Sequence, residues 1–251
     1  MKAMILAAGY GTRLKPLTDE KPKALIEIQN IPLLELIIKK LIATGVSEII
    51  INSHHFAEQI VHFIQKNNSF GIRIEFSHEP EILGTGGGLK KVSYFFNNDQ
   101  SFFLHNVDIL STINLAEMYQ YHLDKNAMVT LAVQKRSTNR YLIVDDQNYI
   151  CGHEDTDNKR TRLKRIPTGK SSLKAFCGIH IISPKIFNFL EESGRFSVID
   201  VYLKLIEQGL PIIGFPADEF YWKDIGKLET LDEIKHDLNN GIVQFETLIG
   251  I

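Results

Sequence analysis

Residues 6–23, LAAGYGTRLKPLTDEKPK, hold the densest anion-handling chemistry in this 251-residue chain. Gly9 and Gly11 lack a Cβ, so backbone N–H groups around them can come close to phosphate oxygens. Arg13 adds a planar fork of donors and Lys23 a mobile point charge, the two side chains best suited to phosphate. Lys21 lies outside this pattern and reads as peripheral. The string is not a P-loop, because no Gly-Lys-Ser/Thr follows the glycines, and it lacks the third glycine of a dinucleotide fingerprint. Two carboxylates stand in equally pointed contexts. Asp108 closes Asn106-Val107-Asp108, and Asp224 lies in Trp222-Lys223-Asp224-Ile225-Gly226. Hard cations such as Mg²⁺ take carboxylate oxygens and keep several waters, so two aspartates plus phosphates would make a site. An aspartate at a strand end also serves as a helix cap. More than a hundred residues separate the pair, so only the fold can bring them together.

The elements that would position these groups follow from periodicity. Residues 3–8 read as a buried strand that runs into the glycines. Apolar spacing predicts helices over 33–44, stopping at Gly45, and over 55–65, 198–207 and 228–239. Strands are expected at 47–52, 72–76 (nearer an edge), 101–104, 128–134, 176–182 and 212–215. A second glycine cluster, residues 83–88 (LGTGGG), is expected as a loop leading into a helix over 89–96. It suits either ligand binding or a flexible turn. Residues 137–172 turn polar and irregular, with 141–144 and 149–151 able to pair as a hairpin. Alternating strands and helices argue for an α/β fold with a mostly parallel sheet flanked by helices. Ligands of such sheets sit outside the strands' carboxyl ends, where these motifs fall. No internal repeat is present, and no hexapeptide pattern of a C-terminal β-helix.

Residues 9–23 resemble the signature GxGTRLxPLTxxxPK of the sugar-1-phosphate nucleotidyltransferases, and the resemblance continues through most of the chain. It implies a single Rossmann-like, GT-A-like domain over 1–251, with 1–135 mainly nucleotide-binding and 136–251, with a small excursion, mainly sugar-binding. It assigns Arg13 to the β- and γ-phosphates, and Lys23 to a bridge between the α-phosphate and the incoming sugar phosphate. Leu6, Ala8, Gly9, Gly11, Thr12, Gly86, Gly87 and Asn106 are assigned to the nucleotide, Gly178 to the sugar, and Asp108 and Asp224 to Mg²⁺. The Glu-Lys-Pro string that many members carry is missing; Lys159, Arg160, Arg162, Lys164 and Arg165 lie in the corresponding polar stretch, where a solvated charge run is the plainer reading. The short length, the missing string and the glycine triple look most like N-acetylmuramate-1-phosphate uridylyltransferases, which serve cell-wall recycling. Mannose- or heptose-1-phosphate guanylyltransferases, and a phosphocholine-type cytidylyltransferase, are the alternatives. A binding module that keeps the fold would have lost Arg13, Lys23 or the aspartates, and all are present.

Bulk properties fit this reading. A net charge of −2 offers no general surface for nucleic acid or membrane. No run reaches ~18 apolar residues, and the glycines follow the N-terminal apolar stretch too soon for an export signal. Cys151 and Cys177 lack metal-ligand spacing and are expected reduced, which suits the cytoplasm. His54 and His55, being adjacent, would not share a metal; His105, beside the aspartate motif, reads as packed. Monomer and homodimer are both open.

Overall fold

A computed structural model describes residues 1–98 and 100–250. In chain order the strands are Lys2–Leu6 (β1), Glu27–Ile28 (β2), Ile31–Pro32 (β3), Glu48–Ser53 (β4), Arg73–His78 (β5), Phe102–Asn106 (β6), Ile109–Ser111 (β7), Val129–Gln134 (β8), Arg140–Asp145 (β9), Ile150–Asp155 (β10), Arg160–Leu163 (β11), Ser171–Ile182 (β12), Ile212–Pro216 (β13) and Trp222–Asp224 (β14). The helices are Leu33–Ala43 (α1), Ala57–Lys66 (α2), Gly84–Lys91 (α3), Leu115–Asp124 (α4), Val198–Glu207 (α5), Leu228–Asn239 (α6) and Phe245–Ile249 (α7). The class is the mixed α/β fold with a helix-flanked sheet that the alternation of elements implies. The chain forms two compact units, each assembled from separate stretches of sequence.

The first unit comprises residues 1–82, 104–115 and 220–251. Its strands lie in the order β6-β1-β4-β5, with β1–β4 and β4–β5 parallel. Met4, Ile5 and Ile49 to Ile51 are wholly buried. Continuous apolar runs of this kind are what parallel strands covered on both faces require. β5, at the end of the order, alternates as an edge strand does. A separate apolar cluster joins Leu14, Ile26 and Ile28 to Leu33 and Leu36 of α1, Leu110 of β7, Ile225, and Leu231 and Ile234 of α6. This cluster anchors the segments that carry four of the candidate site residues: Leu14 beside Arg13, Ile26 after Lys23, Leu110 after Asp108, and Ile225 after Asp224.

The second unit comprises residues 83–103 and 116–219. Its strands run β11-β10-β9-β12-β8-β13, antiparallel except for the parallel β8–β13 pair. The polar stretch 137–172 is thus not irregular. It supplies β9, β10 and β11, whose apolar inner face (Leu142, Val144, Ile150) is buried. In β9 and β10 burial is grouped at one end of the strand, over residues 142–145 and 150–152, rather than alternating, and this hid the strands in the sequence. Cys151 and Cys177 are buried free thiols. Among the described residues, no helix is long and apolar enough to cross a membrane.

The second glycine cluster departs from expectation. The helix begins at Gly84 and runs through the glycines to Lys91, rather than starting at Leu89. A Cβ on Gly86 would meet the Phe196 ring at 2.4 Å, and one on Gly87 the Gly194 carbonyl oxygen at 2.5 Å. The glycines let α3 lie directly against residues 194–197. Burial in this contact outweighs their poor helix propensity, which is all the sequence displays. Gly178 has a comparable local reason: its φ is +75°, and it lies where the β12–β8 register shifts between Phe176 and His180.

Candidate active site

The site is built at the carboxyl ends of β1 and β6, which the Val107 N–H joins by donating to the Leu6 carbonyl at 3.1 Å. Beyond Leu6 the chain opens into the glycines. Gly11 sits at φ +65°, where a Cβ would press on Thr18 at 3.0 Å and on Lys23 at 3.2 Å. Only glycine takes this conformation freely. Thr18 Oγ1 donates to the Gly11 carbonyl at 2.9 Å, closing the loop on itself. The amide of Ala7 donates to the buried Asn52 Oδ1 at 2.7 Å, and Asn52 Nδ2 donates to Glu79 Oε1 at 2.8 Å. His54 Nδ1 donates to the Glu79 carbonyl at 2.6 Å, and its Nε2 lies 3.0 Å from the Tyr10 hydroxyl. A chain of side chains from β4 and the end of β5 therefore sets both the entry of the loop and Tyr10 at its rim.

Leu6, Gly9, Tyr10, Gly11, Thr12, Arg13, Lys23, Val107, Asp108 and Gly226 line a cavity of about 320 Å³. Ala8 and Asn106 are adjacent in sequence to lining residues. Gly86, Gly87 and Gly178 belong to the second unit. Lys23 is 8% exposed. Its Nζ lies 2.5 Å from Asp108 Oδ2. Lys21, by contrast, makes a solvated pair with Glu27 at 3.8 Å.

Asp108 and Asp224 meet through the β7–β14 ladder. Asp224 is in register with Ile109, and the Ile225 amide donates to the Asp108 carbonyl at 2.8 Å. The segment carrying Asp224 then turns past Gly226, which is buried. A Cβ there would stand 2.7 Å from Arg13 Nη2 and 2.9 Å from Asp224 Oδ1. Gly226 thus lets Arg13 and Asp224 converge on one point. Its glycine belongs to a string visible in the sequence, but this reason for it does not. Among the described residues no three His, Cys, Asp or Glu side chains cluster as a ready-made metal site. Two aspartates on hydrogen-bonded neighbouring segments, beside a cradle of backbone amides, are a donor set of the kind that suits Mg²⁺ bound together with phosphates.

Beneath the site, Lys40 of α1 is 5% exposed and its Nζ donates to the Ser111 carbonyl of β7. Burial lowers its pKa to about 7. His105 is buried too, its Nδ1 donating to the Asn106 carbonyl at 2.8 Å. Its pKa is pulled down to about 4, chiefly by burial and also by Lys40, against the opposing Asn106 bond and Asp108.

Residues 2–241 match the family model described as nucleotidyl transferase. The chain belongs to the nucleotidyl transferase family. Among its relatives, a UTP–glucose-1-phosphate uridylyltransferase of Synechocystis is 31% identical over 244 residues, covering 91% of this chain and 61% of the relative. A mannose-1-phosphate guanyltransferase of Candida albicans is 32% identical over 232 residues, covering 90% and 61%. The chain thus spans about three fifths of the length of these curated relatives. Among solved structures, a putative glucose-1-phosphate thymidylyltransferase of Bacillus anthracis shares the fold at a TM-score of 0.79 and 19% identity, over 94% of each chain. UDP-glucose pyrophosphorylase in complex with UDP-glucose does so at 0.77 and 17%, over 96% of this chain and 98% of the other.

Proposed function

We propose that this nucleotidyl transferase family member joins a nucleoside triphosphate to a sugar 1-phosphate, releasing pyrophosphate. What carries the reading is the convergence of Arg13, Lys23 and Asp108 on one cavity of amide-rich backbone, with Asp224 on the strand hydrogen-bonded beside it. An oxygen of the acceptor phosphate attacks the α-phosphorus, and the bond from that phosphorus to the bridging oxygen breaks. Pyrophosphate leaves with the bonding electrons. Such transfer asks the protein for positioning and charge neutralisation rather than covalent help. The amides around Gly9 and Gly11 would hold the triphosphate, and the exposed Arg13 fork would meet the charge gathering on the leaving pyrophosphate. Lys23 gives one donor to Asp108; an ammonium has three, and the others would hold the α-phosphate and the acceptor oxygen in line. Asp108 and Asp224 would hold Mg²⁺, which neutralises phosphate charge when bound.

For the particular substrates, we infer UTP and N-acetylmuramate 1-phosphate, supported by the missing Glu-Lys-Pro string and the glycine triple. A mannose-1-phosphate guanylyl transfer is the second reading, favoured by the guanyltransferases among the relatives. Pyrophosphate release with Mg²⁺, measured over UTP, GTP, CTP and dTTP against N-acetylmuramate, N-acetylglucosamine, glucose and mannose 1-phosphates, tests both. One strong pair is expected. No release in any combination, with clean nucleotide binding, would sink the transfer reaction for these acceptors.

A further inference from the structure

Arg13 lines two cavities of the first unit. One is the cavity at the ends of β1 and β6; the other, of about 610 Å³, has Arg13, Lys227, Glu229 and Glu233 as its charged lining. The two meet at one point of the chain. The guanidinium end of Arg13 packs so closely on Gly226 that a Cβ there would stand 2.7 Å from Nη2, and Lys227 is the next residue.

Lys227 holds the N-cap position of α6, with φ −141° and ψ 157°. This extended backbone suits a Ser, Thr, Asn or Asp, whose side-chain oxygen accepts from the first free amides of a helix. A lysine has no acceptor, and α6 begins without a side-chain cap. The ammonium is also set against the positive end of the helix, where anions are favoured and cations are not. Lys227 therefore weakens the element it begins. No ion pair offsets that loss: neither Lys227 nor Arg13 has a hydrogen-bond or ion-pair partner among the described residues.

The two carboxylates of the second cavity do not neutralise these cations. Glu233 Oε2 accepts from Lys223 Nζ at 2.7 Å. Glu229 lies in the first turn of α6, where the helix dipole offsets its charge. A residue that breaks the local rules of its own helix and stays unpaired marks a functional position.

We propose that Lys227 is a further binding residue for the leaving pyrophosphate, which it holds together with Arg13 in the second cavity. The inference rests on the transfer reaction proposed above. When the bond from the α-phosphorus to the bridging oxygen breaks, pyrophosphate keeps the bonding electrons and gains a negative charge. Arg13 meets it from the first cavity, and Lys227 supplies the second cation on the way out.

Calorimetric titration of the full chain with pyrophosphate, without nucleotide or added metal, tests this directly. Lys227→Gln should weaken binding roughly tenfold or more, as losing a charge-assisted partner does, and Lys227→Arg should restore most of it. Lys235→Gln removes an exposed lysine from the same helix and should bind like wild type. Lys227→Ser gives a readout that a structural lysine would not. By capping α6 it should raise the melting temperature by about 2–4 °C while losing pyrophosphate affinity. In the reverse reaction a pyrophosphate oxygen attacks the α-phosphorus of the nucleotide sugar, and the sugar phosphate leaves with the bonding electrons. There Lys227→Gln should raise the KM for pyrophosphate about tenfold and leave that for the nucleotide sugar unchanged. Three results would overturn the proposal: no binding by wild type, Lys227→Gln binding like wild type, or Lys235→Gln losing as much as Lys227→Gln. The titration is independent of turnover. Binding that needs Lys227, in a protein that releases no pyrophosphate from any substrate pair, would reject the transfer reaction and leave this anion site standing. Transfer with an unaltered Lys227→Gln titration would do the opposite.

Discussion

Lys23 and Asp108 are 2.5 Å apart in a partly buried setting, so each sets the charge environment of the other. Replacing either should lower kcat about 10²-fold, the scale for removing one transition-state charge partner. The double variant Lys23→Ala/Asp108→Ala should lose far less than the product of the single losses, because groups in contact couple. Losses that simply multiply, measured by steady-state pyrophosphate release, would mean the two act separately. Gly226→Ala separates site from scaffold more sharply. The added Cβ meets the movable end of Arg13 and the Asp224 carboxylate, so it should displace both while the fold adapts. A fall in kcat of about tenfold or more, with the melting temperature near wild type, is expected; unchanged turnover would show that the convergence of Arg13 and Asp224 has no function. Gly9, Gly11, Arg13, Lys23 and Asp108, which the structure brings to one cavity, stood out in the sequence because each sits in a distinctive short string. Lys40 under β7, and the run from Asn52 through Glu79 and His54 to Tyr10, did not: these residues meet only after β1, β4, β5 and α1 pack, and no periodicity announces a buried polar partner.

At the scale of elements, α3 shows why part of the fold escaped the sequence. Three adjacent glycines argue locally for a loop, yet residues 84–91 form a helix because residues 194–197, more than a hundred positions away, leave no room for side chains. The strands of β1 and β4 were legible by contrast, since burial on both faces writes itself as an unbroken apolar run. Strands β9 to β11 were half legible, because β9 and β10 pass from exposed to buried along their length instead of alternating, and β11 is mostly exposed. The α3 contact has a measurable sign. Alanine for glycine within an exposed helix gains ~1 kcal/mol, whereas overpacking against fixed backbone costs about 1–3 kcal/mol. Gly87→Ala, facing the Gly194 carbonyl at 2.5 Å, should therefore destabilise the protein in urea unfolding. A stabilised variant would show that the helix does not pack there. Gly9→Ala is the counterpart, since a Cβ at Gly9 meets nothing within 4 Å. It should leave stability within about 0.5 kcal/mol and raise the KM for the triphosphate if the loop cradles phosphate.

For the whole molecule, buried titratable groups decide how stability moves with pH. His122 is held between Ser101 and Thr130 hydroxyls at 2.9 Å each, and burial pulls its pKa from 6.5 to about 4. The unfolded ring takes up a proton first, so stability should fall as pH drops from about 6.5 towards 4. Burial raises the Cys151 and Cys177 thiols to about 11 and about 12 from 9.0. The unfolded thiols ionise first, so stability should fall as pH rises above 9. Lys40 governs the interval between. With a folded pKa of about 7 against 10.5 unfolded, it is protonated in both states at pH 6, where the folded protein bears the cost of an enclosed charge. Between those two values the unfolded chain binds the extra proton, so Lys40 makes stability rise with pH, by at most about 1.4 kcal/mol per unit. Lys40→Met removes this dependence. It also removes the hydrogen bond to the Ser111 carbonyl, which shifts the difference between variant and wild type by a constant without changing its slope. Urea unfolding of both proteins at pH 6, 7, 8 and 9 isolates the term. The variant should compare best with wild type at pH 6 and lose ground steadily from pH 7 upward. A difference that stays flat across the series would mean that Lys40 keeps its proton in the folded protein, and that the interior beneath β7 carries a permanent positive charge.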